Sequence, residues 1–127
     1  MNNPKILLVE DDLFLKDIYA DTLKNAGFEL DIAEDGEQGM NKIKQGGWDL
    51  VLLDVLLPKY TGIEIVKKLK EENSQQLYKK IIFLTNMDNA DEVRQMNELK
   101  IEHIIKSDYT PSAFLAKVRS YLEVPTQ

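Results

Sequence analysis

Six side chains of this 127-residue sequence carry groups that a single reaction could use together. Glu10, Asp11 and Asp12 follow the apolar run Ile6-Leu7-Leu8-Val9. Asp54 follows Leu50-Val51-Leu52-Leu53, Thr85 follows Ile81-Ile82-Phe83-Leu84, and Lys106 follows Glu102 to Ile105. Carboxylates gathered at one place repel, and one of them is driven to take a proton. A divalent cation removes the conflict. Mg2+ prefers hard oxygen ligands, keeps several waters, and is held by one or two carboxylates together with phosphate oxygens. Asp11 and Asp54 are the candidate carboxylate ligands, with Glu10 acting through water. A partly dehydrated carboxylate beside a lysine can act as a nucleophile, and an aspartyl phosphate is a known product of that chemistry. The charge of the new phosphoryl group would fall against the metal, Lys106 and the Thr85 hydroxyl. Asp12 reads differently, as the N-cap of the helical pattern that follows it.

These groups meet only if the runs before them are neighbouring strands. The three runs around residues 6–9, 50–53 and 81–84 are unbroken rather than alternating, which suits a parallel sheet covered on both faces. Phe28 to Ala33 and Glu102 to Ile105 are weaker runs that complete a set of five. Helical patterns lie between them. Leu15, Ile18, Tyr19, Thr22, Leu23 and Ala26 share one helix face, stopped by Gly27. Asp35-Gly36-Glu37 opens a second helix with Met40 and Ile43 inward, closed by Gly46-Gly47. Ile65, Val66 and Leu69 mark a third, with Lys67, Lys68 and Lys70 to solvent. Asp88 to Leu99 is the fourth, poor in apolar residues, with Val93 and Met96 as its inward candidates. Thr110-Pro111 opens a fifth, on which Phe114, Leu115, Val118, Tyr121 and Leu122 form a stripe. A β-α unit repeated five times predicts an α/β fold: a doubly wound, five-stranded parallel sheet with five helices, layered as a three-layer α/β/α sandwich. In such a sheet functional groups collect beyond the carboxyl ends of the strands, where all six side chains stand.

The length fits one domain, residues 1–127. There are no cysteines, which excludes disulfides and cysteine metal sites. Sixteen Lys and Arg against 22 Asp and Glu leave a net charge of −6, which argues against direct binding of nucleic acid. The apolar runs fall far short of the ~20 residues that span a bilayer, so no membrane insertion is expected. The first residues lack a signal-peptide pattern, which makes the cytoplasm the expected location.

Taken together, Leu7-Leu8-Val9-Glu10-Asp11-Asp12, Leu52-Leu53-Asp54-Val55-Leu56-Leu57-Pro58 with Thr61-Gly62, Phe83-Leu84-Thr85 and Ile104-Ile105-Lys106 resemble the response-regulator receiver domain of two-component signalling. Pro58 and Gly62 lie four and eight residues after Asp54, as in that family. The resemblance covers roughly residues 4–123. It implies a flavodoxin-like fold, Mg2+ as cofactor, and Asp54 as acceptor of a phosphoryl group from a sensor histidine kinase or phosphotransfer protein. It further implies that Asp11 binds the metal directly, Glu10 through water, and Leu56 through its backbone carbonyl. Thr85 would be the switch hydroxyl and Lys106 the partner of the phosphoryl group. Such a chain is no enzyme beyond its own phosphorylation and dephosphorylation. Its output would be a downstream effector protein, a phosphorylation-dependent dimer, or passage of the phosphoryl group to another histidine. The surface concerned runs from the fourth helix through strand five to the fifth helix, with Met87, Met96 and Leu99 as candidate contacts.

Three residues depart from the family. Ser107 replaces the usual proline after the lysine, and a cis bond without proline costs about 2.5–4 kcal/mol, so Lys106–Ser107 is expected to be trans. Asn86 stands where a small residue is usual. His103 occupies the place of the switch aromatic; imidazole is flat, but polar and titratable near neutrality. The resemblance places Leu56 and Met87 where side chains flank the path of an attacking water; both are apolar and cannot orient one, which predicts slow autodephosphorylation. Three other readings compete. A Mg2+-dependent aspartyl phosphatase wants a second acid two residues after the nucleophile, where Leu56 stands. A flavin-binding module wants a phosphate loop after strand one, where three acids stand. A degenerate receiver, serving as a phosphorylation-independent interaction scaffold, is favoured by Ser107, Asn86 and His103 and opposed by the intact acid, Asp54, Thr85 and Lys106 set.

Overall fold

The computed structural model describes residues 3–86 and 90–122. Its strands are β1 (Lys5–Val9), β2 (Glu29–Ala33), β3 (Leu50–Asp54), β4 (Ile81–Thr85) and β5 (His103–Ile105). Its helices are α1 (Leu13–Asn25), α2 (Gly36–Ile43), α3 (Gly62–Glu71), α4 (Ala90–Glu98) and α5 (Pro111–Leu122). The strands form one parallel sheet in the order β2-β1-β3-β4-β5. The α/β alternation read from the sequence is therefore the observed one.

Side chains alternate across a strand, so an unbroken apolar run supplies both faces of the sheet. On one face Leu7, Val9, Val51, Leu53, Ile81 and Phe83 pack with Met40 and Ile43 of α2, Val66 and Leu69 of α3 and Met96 of α4. On the other, Ile6, Leu8, Leu50, Leu52, Ile82 and Leu84 pack with Tyr19 and Leu23 of α1 and Phe114 and Val118 of α5. Tyr19 stacks on Phe114 with ring centroids 4.4 Å apart, tying α1 to α5.

The helix starts follow from their caps. Asp12 accepts from the amides of Phe14 and Leu15 at 3.0 and 3.1 Å, Asp35 from Gln38, and Thr110 from Ala113. Thr61 and Glu64 form a reciprocal capping box at the start of α3.

Several expectations shift in detail. β2 begins at Glu29 rather than Phe28, and β5 at His103 rather than Glu102. Lys106 lies just beyond β5, in a 3-10 turn formed by Lys106–Asp108. Met96, a candidate output contact, is fully buried and belongs to the core, and Leu99 is half-buried against the same cluster. Met96 is the one residue of α4 that is buried, in keeping with the sparse apolar pattern of that helix. The expected helix start at Asp88 and the expected role of Met87 lie outside the described residues. Among the described residues no peptide bond is cis, and Lys106–Ser107 is trans as expected. No helix in the described residues is long and apolar enough to cross a membrane.

Candidate functional site

Strand register assembles the site. β1 and β3 pair Val9 with Leu53, so one further step brings Glu10 beside Asp54. β3 and β4 pair Asp54 with Leu84, which puts Thr85 one residue beyond. β4 and β5 pair Thr85 with Ile105, and Lys106 follows. Four sheet ends thus deliver their polar residues to one rim, as the order of the strands requires.

Burial divides the acids. Glu10 is 0 % exposed and Asp54 4 %, whereas Asp11 is exposed. Thr85 is buried as well. Nζ of Lys106 stands between two carboxylates, 2.8 Å from Oδ2 of Asp54 and 2.7 Å from Oε1 of Glu10. The contact with Asp54 is a hydrogen bond. The contact with Glu10 has ion-pair distance but not hydrogen-bond geometry, so Oε1 is a buried oxygen with no hydrogen bond of its own. Oε2 of Glu10 accepts from the Asp12 amide at 3.2 Å, and Oδ1 of Asp54 accepts from the Leu56 amide at 3.3 Å. Gly62 permits this packing, since a Cβ there would stand 2.4 Å from the Asp54 carbonyl oxygen.

Carboxylate oxygens of Glu10, Asp11 and Asp54 all lie within 4.8 Å of one another. Three hard oxygen donors, in residues of which Glu10 has a buried oxygen without a hydrogen bond, suit a divalent cation such as Mg2+. Asp12 is occupied as the α1 cap, as its sequence position suggested. The electrostatics record the crowding. Burial, then the close approach and charge of the Asp54 carboxylate, push Glu10 up from 4.5 to about 7, against the opposing pull of Lys106. Burial works to lower Lys106, but the hydrogen bond to Asp54, the close contact with Glu10 and the charges of both outweigh it and hold the ammonium above its ordinary value.

An acid whose folded pKa exceeds its unfolded one binds its proton more tightly in the native state. Its stabilising contribution is complete below about 4.5 and is lost as pH rises to about 7. Asp31, Asp35, Asp49 and Glu64 are shifted down and act with the opposite sign, at lower pH. Urea unfolding in EDTA should therefore show stability falling by on the order of 2–3 kcal/mol between pH 5 and 7.5. Saturating MgCl2, or Glu10→Gln, should flatten that slope. An equally steep slope in Glu10→Gln would assign it to another group.

The site residues missed by sequence reasoning are few. Glu10, expected to help through water, is in addition a buried partner of Lys106. His103 is half-buried on the edge strand β5, opposite Phe83. Asn86 and Ser107 are exposed, and Leu56 is 59 % exposed. Leu13 and Phe14, 61 and 72 % exposed, follow the acids directly and begin α1, outside the apolar face that starts at Leu15.

Comparison with known proteins agrees with this geometry. Residues 6–119 match the family model of the response regulator receiver domain, and the chain belongs to that family. It is 32 % identical over 120 residues to the alkaline phosphatase synthesis transcriptional regulatory protein PhoP of Bacillus subtilis, covering 94 % of this chain and 49 % of PhoP. It is 31 % identical over 115 residues to the transcriptional regulatory protein DltR of Streptococcus agalactiae, covering 91 % and 50 %. The chain thus spans about half the length of the curated relatives it matches. Among solved structures it resembles a CheY-like receiver domain protein from Methanospirillum hungatei (TM-score 0.82, 25 % identity, 95 % and 94 % covered). It also resembles the chemotaxis protein CheY4 of Vibrio cholerae (TM-score 0.80, 26 % identity, 94 % and 99 % covered). The protein is accordingly a receiver domain of two-component signalling, with the five-stranded CheY-like fold.

Proposed function

We propose that Asp54 accepts a phosphoryl group from a phosphohistidine of a sensor histidine kinase or phosphotransfer protein. The observation that carries this reading is the buried Asp54 carboxylate, held by Lys106 inside a cluster of three acids. Asp11, Asp54, the Leu56 carbonyl and, through water, Glu10 would hold Mg2+. When bound, the metal supplies positive charge against the phosphoryl oxygens. The chain's own residues do the rest. The Leu56 amide fixes one oxygen of Asp54 and Lys106 the other, which orients the carboxylate. Asp54 attacks phosphorus, the phosphorus–nitrogen bond of the donor breaks, and the histidine leaves with its electron pair. Lys106 and the Thr85 hydroxyl then meet the new charge.

Thr85 moving toward the phosphoryl group, with His103 turning inward, is the proposed switch. The surface from α4 through β5 to α5 would change with it. Support comes from the light anchoring of α4, which rests on one buried residue. An effector protein or a second copy of the chain would read that surface. Leu13 and Phe14, which follow Asp12, and Leu56, two residues after Asp54, are exposed apolar side chains available to a protein donor.

The test is uptake of phosphate from acetyl phosphate, followed by intact mass. Uptake is expected in MgCl2 and absent in EDTA, and uptake independent of metal would sink the reading. The phosphoprotein should then release phosphate slowly, because exposed Leu56 offers an attacking water no hydrogen bond. Leu56→Glu is expected to speed release several-fold, well below the roughly 10^2–10^4-fold of a fully positioned general base, because the exposed side chain is not held in place. A wild-type half-life of seconds would contradict the proposed slow turnover.

A further inference from the structure

The loop between Asp54 and α3 is fastened to the amino end of α2 by backbone contacts. The Gly36 amide donates to the Pro58 carbonyl at 2.9 Å, and the Tyr60 amide donates to the same oxygen, also at 2.9 Å. The second bond spans only two residues, and Lys59 between them has φ +74°. That combination marks the γ-turn with positive φ, the rare and strained form. No side chain fits on Gly36. A Cβ there would stand 2.0 Å from the Tyr60 carbonyl oxygen and 2.7 Å from its amide nitrogen. Lys59 also reaches the same helix end, with Nζ 3.6 Å from Asp35 and 3.5 Å from Glu37. Exposed ion pairs of this length contribute little, so the backbone contacts carry the attachment. At its other end the loop is pinned by the Gly62 amide, which donates to the Val55 carbonyl at 2.8 Å. Leu56 lies between these two fastenings.

Strained backbone persists only where its surroundings over-determine it, and it gathers where geometry matters to function. We propose that the amino end of α2 is a brace for the metal-binding loop, in which Gly36 is a positioning residue that sets where the Leu56 carbonyl stands relative to Asp54 and Asp11. The inference rests on the reading of this rim as a Mg2+ site. Gly36 touches no reacting atom; it acts through Pro58 and Tyr60. Because those contacts are backbone to backbone, no rotation of a side chain can absorb a Cβ at position 36, and the loop itself must move.

The experiment titrates Mg2+ alone into the full chain by calorimetry, and measures the acetyl phosphate reaction across Mg2+ concentration. Gly36→Ala is expected to weaken Mg2+ binding by about tenfold or more, the usual effect of losing an outer-shell support. The Mg2+ concentration for half-maximal phosphorylation should rise by the same factor, while the rate at saturating Mg2+ stays near wild type. Lys59→Pro tests the brace without a clash, since proline fixes φ near −65° and cannot form the turn. It should weaken Mg2+ binding as well. Lys59→Gly keeps the turn and should keep wild-type affinity. A lowered melting temperature with an unchanged Mg2+ titration in both Gly36→Ala and Lys59→Pro overturns the brace. A wild-type protein that takes up no Mg2+ would instead overturn the site reading, and the brace with it.

Discussion

Asp54→Asn is expected to abolish phosphate uptake from acetyl phosphate, with a loss on the order of 10^3-fold or more, as for removal of other covalent nucleophiles. The reason is chemical before it is structural. A carboxylate oxygen can form an acyl phosphate; the neutral amide oxygen is too weak a nucleophile and leaves no stable product. The fold should tolerate the exchange, because asparagine has the same shape and its carbonyl can still accept from Lys106 or the Leu56 amide. The charge balance should improve. Asp54 is one cause of the raised Glu10 value, so its neutralisation lets Glu10 ionise more readily and shortens the pH range over which the metal-free protein loses stability. The variant is therefore expected to be at least as stable as wild type at pH 7 while inert to phosphodonors. Intact mass and urea unfolding on the same sample check both halves. Uptake at the wild-type rate would move the acceptor to another residue.

Much of this site is legible in the sequence, because its parts sit where the strongest sequence signals end. β1, β3 and β4 are buried on both faces, so their apolar runs are unbroken and their last residues stand out. β2 and β5 were less sharp because they are the edges of the sheet, where half-exposed positions accept residues such as Asp31 and His103. The fourth helix was blurred for a related reason: one buried methionine leaves little period to read. Trp48 illustrates a different failure. It is buried to 2 % exposure and bridges to Tyr78, yet it lies outside every strand and helix, and no periodicity marks it.

The electrostatic interior of the site was legible only in kind: that one of the gathered acids would hold a proton is expected, but not that Glu10 is the one. That Glu10 is buried follows from packing on both sides of β1, and neither its contact with Lys106 nor its raised proton affinity has a local signature. The attachment of Gly36 to Pro58 and Tyr60 is hidden more completely, since it uses main-chain atoms from segments more than twenty residues apart. Sequence signals report what side chains prefer. They are silent where the backbone of one segment meets the backbone of another, and here that is where the loop following Asp54 is held.

Lys106→Met should separate metal binding from phosphoryl chemistry. Nζ of Lys106 lies within 2.8 Å of both Glu10 and Asp54, so in the metal-free protein it neutralises the oxygens that a divalent cation would use. Removing it leaves two buried carboxylates facing each other, and loss of one partner from a buried charge pair costs roughly 3–5 kcal/mol. Glu10 offers a partial escape. Lys106 is among the groups holding its proton affinity down, so without the ammonium Glu10 retains a proton to still higher pH. The destabilisation relative to wild type is therefore expected to be small near pH 5.5 and to grow as pH rises beyond 7, and MgCl2 should relieve it. Mg2+ affinity should increase, because the ion no longer meets a competing ammonium. Phosphorylation at saturating Mg2+ should nevertheless fall by roughly 10^2–10^3-fold, the effect of losing one donor aimed at developing charge. Calorimetric Mg2+ titration beside acetyl phosphate kinetics reads both effects. A variant that phosphorylates as fast as wild type would remove Lys106 from the chemistry, and one that binds Mg2+ more weakly would mean that the ammonium helps to build the metal site instead of competing for it.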